Sequence, residues 1–269
     1  MSGAITITID GQLCSAAAGK TILEVARENA IDIPTLCHFE GLSNVGACRL
    51  CLVQINESPR LQPACVVRAE DEMRVATSTP QIQGYRKMIV ELLLAERNHI
   101  CAVCVMSGDC ELQSMAARLG VDHVRYDYLF PKLLVDATHE RFVLDHNRCI
   151  LCNRCRRTCE ELEGAHVWDV ARRGINSYVI TELAKPWGEA ITCTSCGKCI
   201  NACPTGALTH KGDTVAESRK ERNMLKFLLQ ARRTGQYEEE MLAPLGAKLS
   251  VSVRGQAGER GDQEVKPNG

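Results

Sequence analysis

The sequence predicts an α+β chain made of three small modules, each gathered around clustered cysteines. Three observations predict it. The N-terminal stretch alternates like a pair of strands and then turns helical. Sixteen cysteines in 269 residues fall into spaced groups instead of scattering. Aromatic residues make up only 4% of the chain, too few for one large core. Metal bound at a site absent from the unfolded chain becomes folding free energy, which is what a modest core lacks.

The first module covers residues 1–78. Ile5-Thr6-Ile7-Thr8-Ile9 alternates with period two and reads as a strand. Asp10-Gly11 is a hairpin turn signal, and Gln12 to Ala16 supplies the return strand. Thr21-x-x-Glu24 is a capping box for a helix that ends near Ala30, with Ile22, Leu23, Val25 and Ala26 on its apolar face. Strand, turn, strand, helix is the opening of a β-grasp fold. Leu52–Ile55 and Arg74–Thr77 read as further strands. The module also carries Cys37, Cys48, Cys51 and Cys65, four thiols that suit a [2Fe–2S] cluster at a spacing different from the plant type. Gly41 and Gly46 suit a loop that turns tightly and aims backbone N–H groups at the metal site. Cys14 stands alone on a strand and is expected in the core.

The second module covers residues 79–140. Pro80 to Asn98 is an amphipathic helix, with Ile82, Tyr85, Ile89, Leu92 and Leu93 at helical spacing. It leads into His99-x-Cys101-x2-Cys104-x5-Cys110. Three cysteines leave one corner of a [4Fe–4S] cubane open, and His99 is the natural fourth ligand, because imidazole can replace thiolate and raises the potential. Glu111 to Leu119 reads as a short helix. His123, His139 and His146 read as surface or hydrogen-bonded residues.

The third module covers residues 141–212 and carries the strongest pattern. Cys149, Cys152, Cys155 and Cys159 form one C-x2-C-x2-C-x3-C run; Cys193, Cys196, Cys199 and Cys203 form another, followed by Pro204. This is the bacterial two-cluster ferredoxin signature, in which the fourth cysteine of each run serves the other cluster. Cys149, Cys152, Cys155 and Cys203 are therefore expected to hold one [4Fe–4S] cluster, and Cys193, Cys196, Cys199 and Cys159 a second. Zinc proteins use paired C-x2-C separated by a finger, which these runs do not match. Trp168 and Trp187, in the insert between the runs, read as packing residues. Beyond it, Thr214 to Arg233 is expected as one amphipathic helix within 213–245, with Val215, Met224, Leu225, Phe227, Leu228 and Ala231 on one face; 246–269 is expected to be a disordered tail.

Net charge is −1, so bulk electrostatics point to no nucleic acid and no anionic membrane. No secretory signal and no transmembrane run are found, and thiols kept for metal suit a reducing compartment, here the cytoplasm. No dinucleotide fingerprint or nucleophile motif is present, so neither an NAD or flavin site nor a catalytic residue is expected.

Glu96-Arg97-Asn98-His99-Ile100-Cys101-Ala102-Val103-Cys104, Gly108-Asp109-Cys110-Glu111-Leu112-Gln113, Asn147-Arg148-Cys149-Ile150-Leu151-Cys152, Pro186-Trp187-Gly188 and Thr194-Ser195-Cys196-Gly197-Lys198-Cys199 carry a resemblance. Residues 4–212 resemble the arm shared by the large iron–sulfur subunit of respiratory complex I and by iron-only hydrogenases. They are most similar to the small diaphorase subunit of soluble NAD-reducing [NiFe] hydrogenases. His99 lies two residues before Cys101, where the wider family commonly has four. The resemblance implies an electron-transfer subunit with one [2Fe–2S] and three [4Fe–4S] clusters. It implies a flavin- and NAD(H)-binding partner on the [2Fe–2S] side and [NiFe] hydrogenase subunits beyond. The same arm serves NAD-dependent formate dehydrogenases and complex I, where it usually continues into a much larger domain. A structural zinc protein is the alternative of another class.

Overall fold

The computed structural model describes residues 3–235. Strands β1 (Ala4–Ile9) and β2 (Gln12–Ala17) form the opening hairpin, with Asp10 and Gly11 both at positive φ. Helix α1 (Ile22–Glu28) starts at the complete Thr21/Glu24 capping box and buries Ile22, Leu23, Val25 and Ala26. Strands β3 (Leu52–Ile55), β4 (Gln62–Pro63) and β5 (Arg74–Ala76) complete a mixed sheet in the order β2-β1-β5-β3-β4, with β1 and β5 parallel. Alternate residues of these strands, Ile7, Ile9, Val53 and Val75, meet α1 in one core that also contains Cys14. This is the β-grasp unit.

Helix α2 (Pro80–Glu96) begins with Thr79 as N-cap and Pro80 in its first turn. Its buried face is not the one that apolar spacing indicates. Tyr85 and Leu92 are exposed, whereas Arg86 and Glu91 are buried beside Ile82, Val90 and Ala95. The cause is polar. Arg86 donates to the Leu50 and Leu52 carbonyls at 2.9 and 3.0 Å, and Glu91 accepts two hydrogen bonds from Arg125. Those partners rotate the helix about one residue from its apolar stripe. Helix α3 (Glu111–Arg118) packs against α2.

The last module contains β6 (Val135–Asp136), β7 (Phe142–Asp145), α4 (Arg154–Arg157), the hairpin β8 (Trp168–Ala171) and β9 (Tyr178–Thr181), α5 (Lys198–Ala202) and β10 (Leu208–His210). Strands β10, β7 and β6 make a small antiparallel sheet. Helix α4 runs into a π-turn at Thr158–Glu163, which carries Cys159 and ends at Gly164 with φ 75°. Trp168 and Trp187 are buried and edge-to-face at 4.8 Å.

The final helix, α6 (Arg222–Thr234), starts eight residues later than the spacing suggests. Ala216 takes a φ of 60°, and the Ala216 and Ser218 N–H groups donate to the Cys104 and Val105 carbonyls. Residues 214–221 are thus a strap across the cysteine loop, and Val215 is exposed. The buried positions of α6 are Leu225, Leu229 and Ala231, with Leu225 and Leu229 packed against Phe39 and Leu42. A Cβ on Gly41 would come within 2.7 Å of Leu229, so this glycine admits the helix. The expected tail at 246–269 lies outside the described residues. No helix among the described residues is long and apolar enough to cross a membrane.

Candidate metal centres

Cys37, Cys48, Cys51 and Cys65 close on one another beneath the β-grasp sheet as two thiol pairs. Cys51 Sγ lies 3.4 Å from Cys65 Sγ, and Cys37 shares a hydrogen bond with Cys48. Two pairs suit a cluster in which each of two irons takes two thiolates. The Cys37 thiol, and after it the N–H groups of Leu36, Leu50 and Cys37, pull Cys48 below the ordinary thiol range. The N–H of Gly46, which turns at φ 60°, bonds to Cys65 in the same way.

His99, Cys101, Cys104 and Cys110 line a single space of about 300 Å³. The His99 ring bonds to the Leu93 carbonyl through one nitrogen, while Nε2 is buried without a partner. Burial first, and then the Arg148 guanidinium, hold its pKa down to about 4, so the ring is neutral, as a metal-binding imidazole must be. Gly206 forms part of the wall, where a Cβ would stand 2.7 Å from Cys104 Sγ. Gly206→Ala is therefore expected to displace that thiol. The loss would be read as a missing [4Fe–4S] signal in the electron paramagnetic resonance spectrum of the reduced protein.

Cys149, Cys152, Cys155 and Cys203 surround a space of about 350 Å³. Cys159, Cys193, Cys196 and Cys199 surround another of about 320 Å³. Helix α4 delivers Cys155, and its π-turn extension carries Cys159 to the other set. Helix α5 carries Cys199 and places Cys203 at its C-cap. Burial pushes Cys149 up to about 11 and Cys152 up to about 12. Free thiolates would not persist there unless cationic iron supplied the missing charge. Among the described residues no three His, Cys, Asp or Glu side chains converge on a point that would hold one ion. Donors standing around spaces of this size suit a cluster better than a lone zinc ion.

Several neighbours carry no cysteine signature. The Trp168 indole donates to Cys199, so it is more than packing. His139 is buried. Its Nδ1 accepts the Arg141 N–H at 3.0 Å, leaving Nε2 as the donor, 3.1 Å from Ser195 Oγ and 3.9 Å from Cys193 Sγ. Lys220, also buried, donates to the Leu208 carbonyl and is attracted by Cys203 and Cys199. Donors near sulfur stabilise the more negative, reduced cluster. Trp168→Phe is expected to lower the potential of the neighbouring cluster, measured by redox titration. The change should be a fraction of the about 1.5–3 kcal/mol that a hydrogen bond to a charged group contributes.

The four sets are contiguous. Arg157 donates to the Cys37 carbonyl at 2.5 Å and the Cys152 carbonyl at 3.4 Å, joining the first set to the Cys149 set. Thr205 lines both the Cys149 and the His99 spaces. The Pro204 carbonyl accepts the N–H of Glu111, the first residue of α3.

Among known families, a 2Fe-2S iron-sulfur cluster binding domain matches residues 2–80, and the NADH-ubiquinone oxidoreductase-G iron-sulfur binding region matches 86–125. The ferredoxin-like domain of NADH-quinone oxidoreductase subunit 3 matches 141–209, and a 4Fe-4S double cluster binding domain matches 192–247. The gamma subunit of the NAD-reducing hydrogenase HoxS of Cupriavidus necator is 33% identical over 208 residues, covering 77% of this chain and 87% of that subunit. The chain belongs to the family of this iron–sulfur subunit.

A chain of a solved NAD+-reducing [NiFe]-hydrogenase, in the H2-reduced state, shares the family fold with a TM-score of 0.75 at 32% identity. The match covers 80% of this chain and 90% of that one. A subunit of the NADH-quinone oxidoreductase of Rhizobium meliloti is 38% identical over 208 residues, 76% of this chain. The HndD subunit of the NADP-reducing hydrogenase of Solidesulfovibrio fructosivorans is 35% identical over 209 residues, also 76% of this chain. The chain spans only 24% and 36% of these two longer relatives.

Proposed function

We infer that the chain carries one [2Fe–2S] and three [4Fe–4S] clusters and relays electrons between a flavin- and NAD(H)-binding subunit and a [NiFe] hydrogenase module. It is then one subunit of an enzyme in which hydrogen reduces NAD+. The ligands are Cys37, Cys48, Cys51 and Cys65; His99, Cys101, Cys104 and Cys110; Cys149, Cys152, Cys155 and Cys203; and Cys159, Cys193, Cys196 and Cys199. The modules divide at about residue 78, by the change from sheet to helix, and ahead of β6 rather than at 140, because Val135–Asp136 already pairs in the sheet of the last module. Contiguity of the four donor sets is the observation that supports this reading best. The Cys149 set is the junction, because Arg157 joins it to one neighbour and Thr205 to another.

Bound iron–sulfur clusters supply reversible one-electron transfer. The chain does the rest. Arg157 fixes the first separation, burial of most of the thiols limits water, and N–H donors set the charge environment. Hydrogen oxidation and NAD reduction belong to the partners. Anaerobically reconstituted chain should bind iron and sulfide for all four clusters yet consume no hydrogen, and the native complex should carry nickel and flavin. Hydrogen-dependent NAD reduction by the chain alone would overturn the reading.

His99→Cys should keep its cluster at a lower midpoint potential, because a thiolate adds negative charge where the neutral ring had none. An unchanged potential in a redox titration would remove His99 from the ligand set. The 38% identity to a complex I-type protein favours one second reading, the same relay serving quinone reduction. A native complex without nickel would select it.

A further inference from the structure

Two open cavities join at Leu134, His146 and Tyr178 to form one groove. Counting the open solvent within them, one spans about 960 Å³ and the other about 780 Å³, each more than twice any cysteine-lined space measured the same way. Arg97, Lys132 and Arg172 line the first and Lys185 the second. Among the described residues Asp136 is the one acid lining either, and its carboxylate already accepts the N–H groups of Thr138 and Trp187. The groove therefore has surplus positive charge.

Two of its buried nitrogens lack partners. Arg97 is 3% exposed, and its Nη2 donates to the Ser177 carbonyl at 2.7 Å and lies 3.6 Å from Glu96, yet its Nε has no acceptor; His146 Nδ1 is likewise buried and unmatched. Buried polar groups left this way are uncommon and cost free energy until matched. Around them Leu129, Phe130, Leu134 and Ile175 are exposed. Apolar anchors beside arginine are the composition of an interface centre rather than of free surface.

The groove also stands against the His99 donor set. Arg97 is two residues before His99, and Asn98 donates to the Pro131 carbonyl at 2.8 Å and to Asn147 at 2.7 Å, pinning the groove wall there. Ile100 and Val103, on either side of Cys101, are exposed.

We propose that this groove docks a redox partner subunit through an acidic side chain carried in an apolar segment. Lys132 and Arg172 receive the carboxylate, and Phe130 and Leu134 cover the flanking apolar residues. Electrons then pass between the His99 cluster and the partner's own centre. The proposal rests on the relay reading above.

The test uses the native complex, treated with a carbodiimide that joins amines to carboxylates without a spacer. Lys132 or Lys185 is expected to link to an aspartate or glutamate of a co-purifying subunit. The double charge reversal Lys132→Glu/Arg172→Glu is expected to lower recovery of that subunit about tenfold at about 0.15 M salt. Iron content and cluster spectra of the same variant should stay at the wild-type level. Cross-links only to a second copy of this chain, or only to its own Glu238, Glu239 or Glu240, would overturn the proposal. So would recovery of the subunit at wild-type level by the double variant. Missing iron in the wild-type chain would instead count against the relay itself, so the two failures are distinct. Cross-linking of the wild-type complex needs no variant and decides the matter if the double variant fails to fold.

Discussion

Cys203→Ala is expected to remove one [4Fe–4S] cluster and to cut hydrogen-dependent NAD reduction by the assembled enzyme more than about a hundredfold. Loss of a mere outer-shell partner already costs metal sites about 10–100-fold, and Cys203 is proposed as a direct donor. Its thiol is buried with Cys152 and Cys155, and with the half-buried Cys149 they surround one space. That space adjoins the Cys37 set through Arg157 and the His99 set through Thr205. Emptying the junction separates the other centres from each other. Iron content should fall by about four atoms per chain, while the [2Fe–2S] signal persists. Retention of full turnover by Cys203→Ala would refute the junction role.

Glu111→Ala is expected to destabilise the folded chain by about 3–5 kcal/mol, the usual result of leaving a buried charge without its partner. Glu111 accepts two 2.8 Å hydrogen bonds from Arg154, which is 3% exposed, and also contacts Arg222 at 2.9 Å. Arg154 additionally donates to the His38 carbonyl of the β-grasp module and the Ala202 carbonyl of α5. One carboxylate thus holds the guanidinium that joins three modules. Glu111→Gln preserves the shape and some hydrogen bonding, so its loss should be smaller. The comparison is made by anaerobic denaturation, following bleaching of the iron–sulfur absorbance together with loss of helix. Wild-type resistance in Glu111→Ala would show that Arg154 finds its neutraliser elsewhere.

The β-grasp opening was legible because its signals are local. Alternation, a turn at Asp10-Gly11 and a capping box are each contained within a few residues. Cysteine spacing was legible for the same reason. The face of α2 was not, because apolar periodicity cannot register a buried Arg86 or Glu91 whose partners lie far along the chain. The late start of α6 depends on backbone bonds to Cys104 and Val105, more than a hundred residues away. Hairpin β8–β9 left a faint trace, the run of one aromatic and three β-branched residues Tyr178-Val179-Ile180-Thr181. Trp168 and Lys220 beside the ligand sulfurs left none, since an indole or ammonium near a metal site has no spacing rule.

The exchange of Cys159 and Cys203 between the two ferredoxin spaces constrains how the protein is made. A ribosome releases the first cysteine run well before the second, and at that moment neither cage possesses all of its walls. With the proposed ligands, iron delivered early would find an incomplete seat, and loading would wait until the whole module has emerged and closed. Cofactor insertion thereby doubles as an inspection of the finished fold, and damage that opens one cage later also takes a wall from its twin.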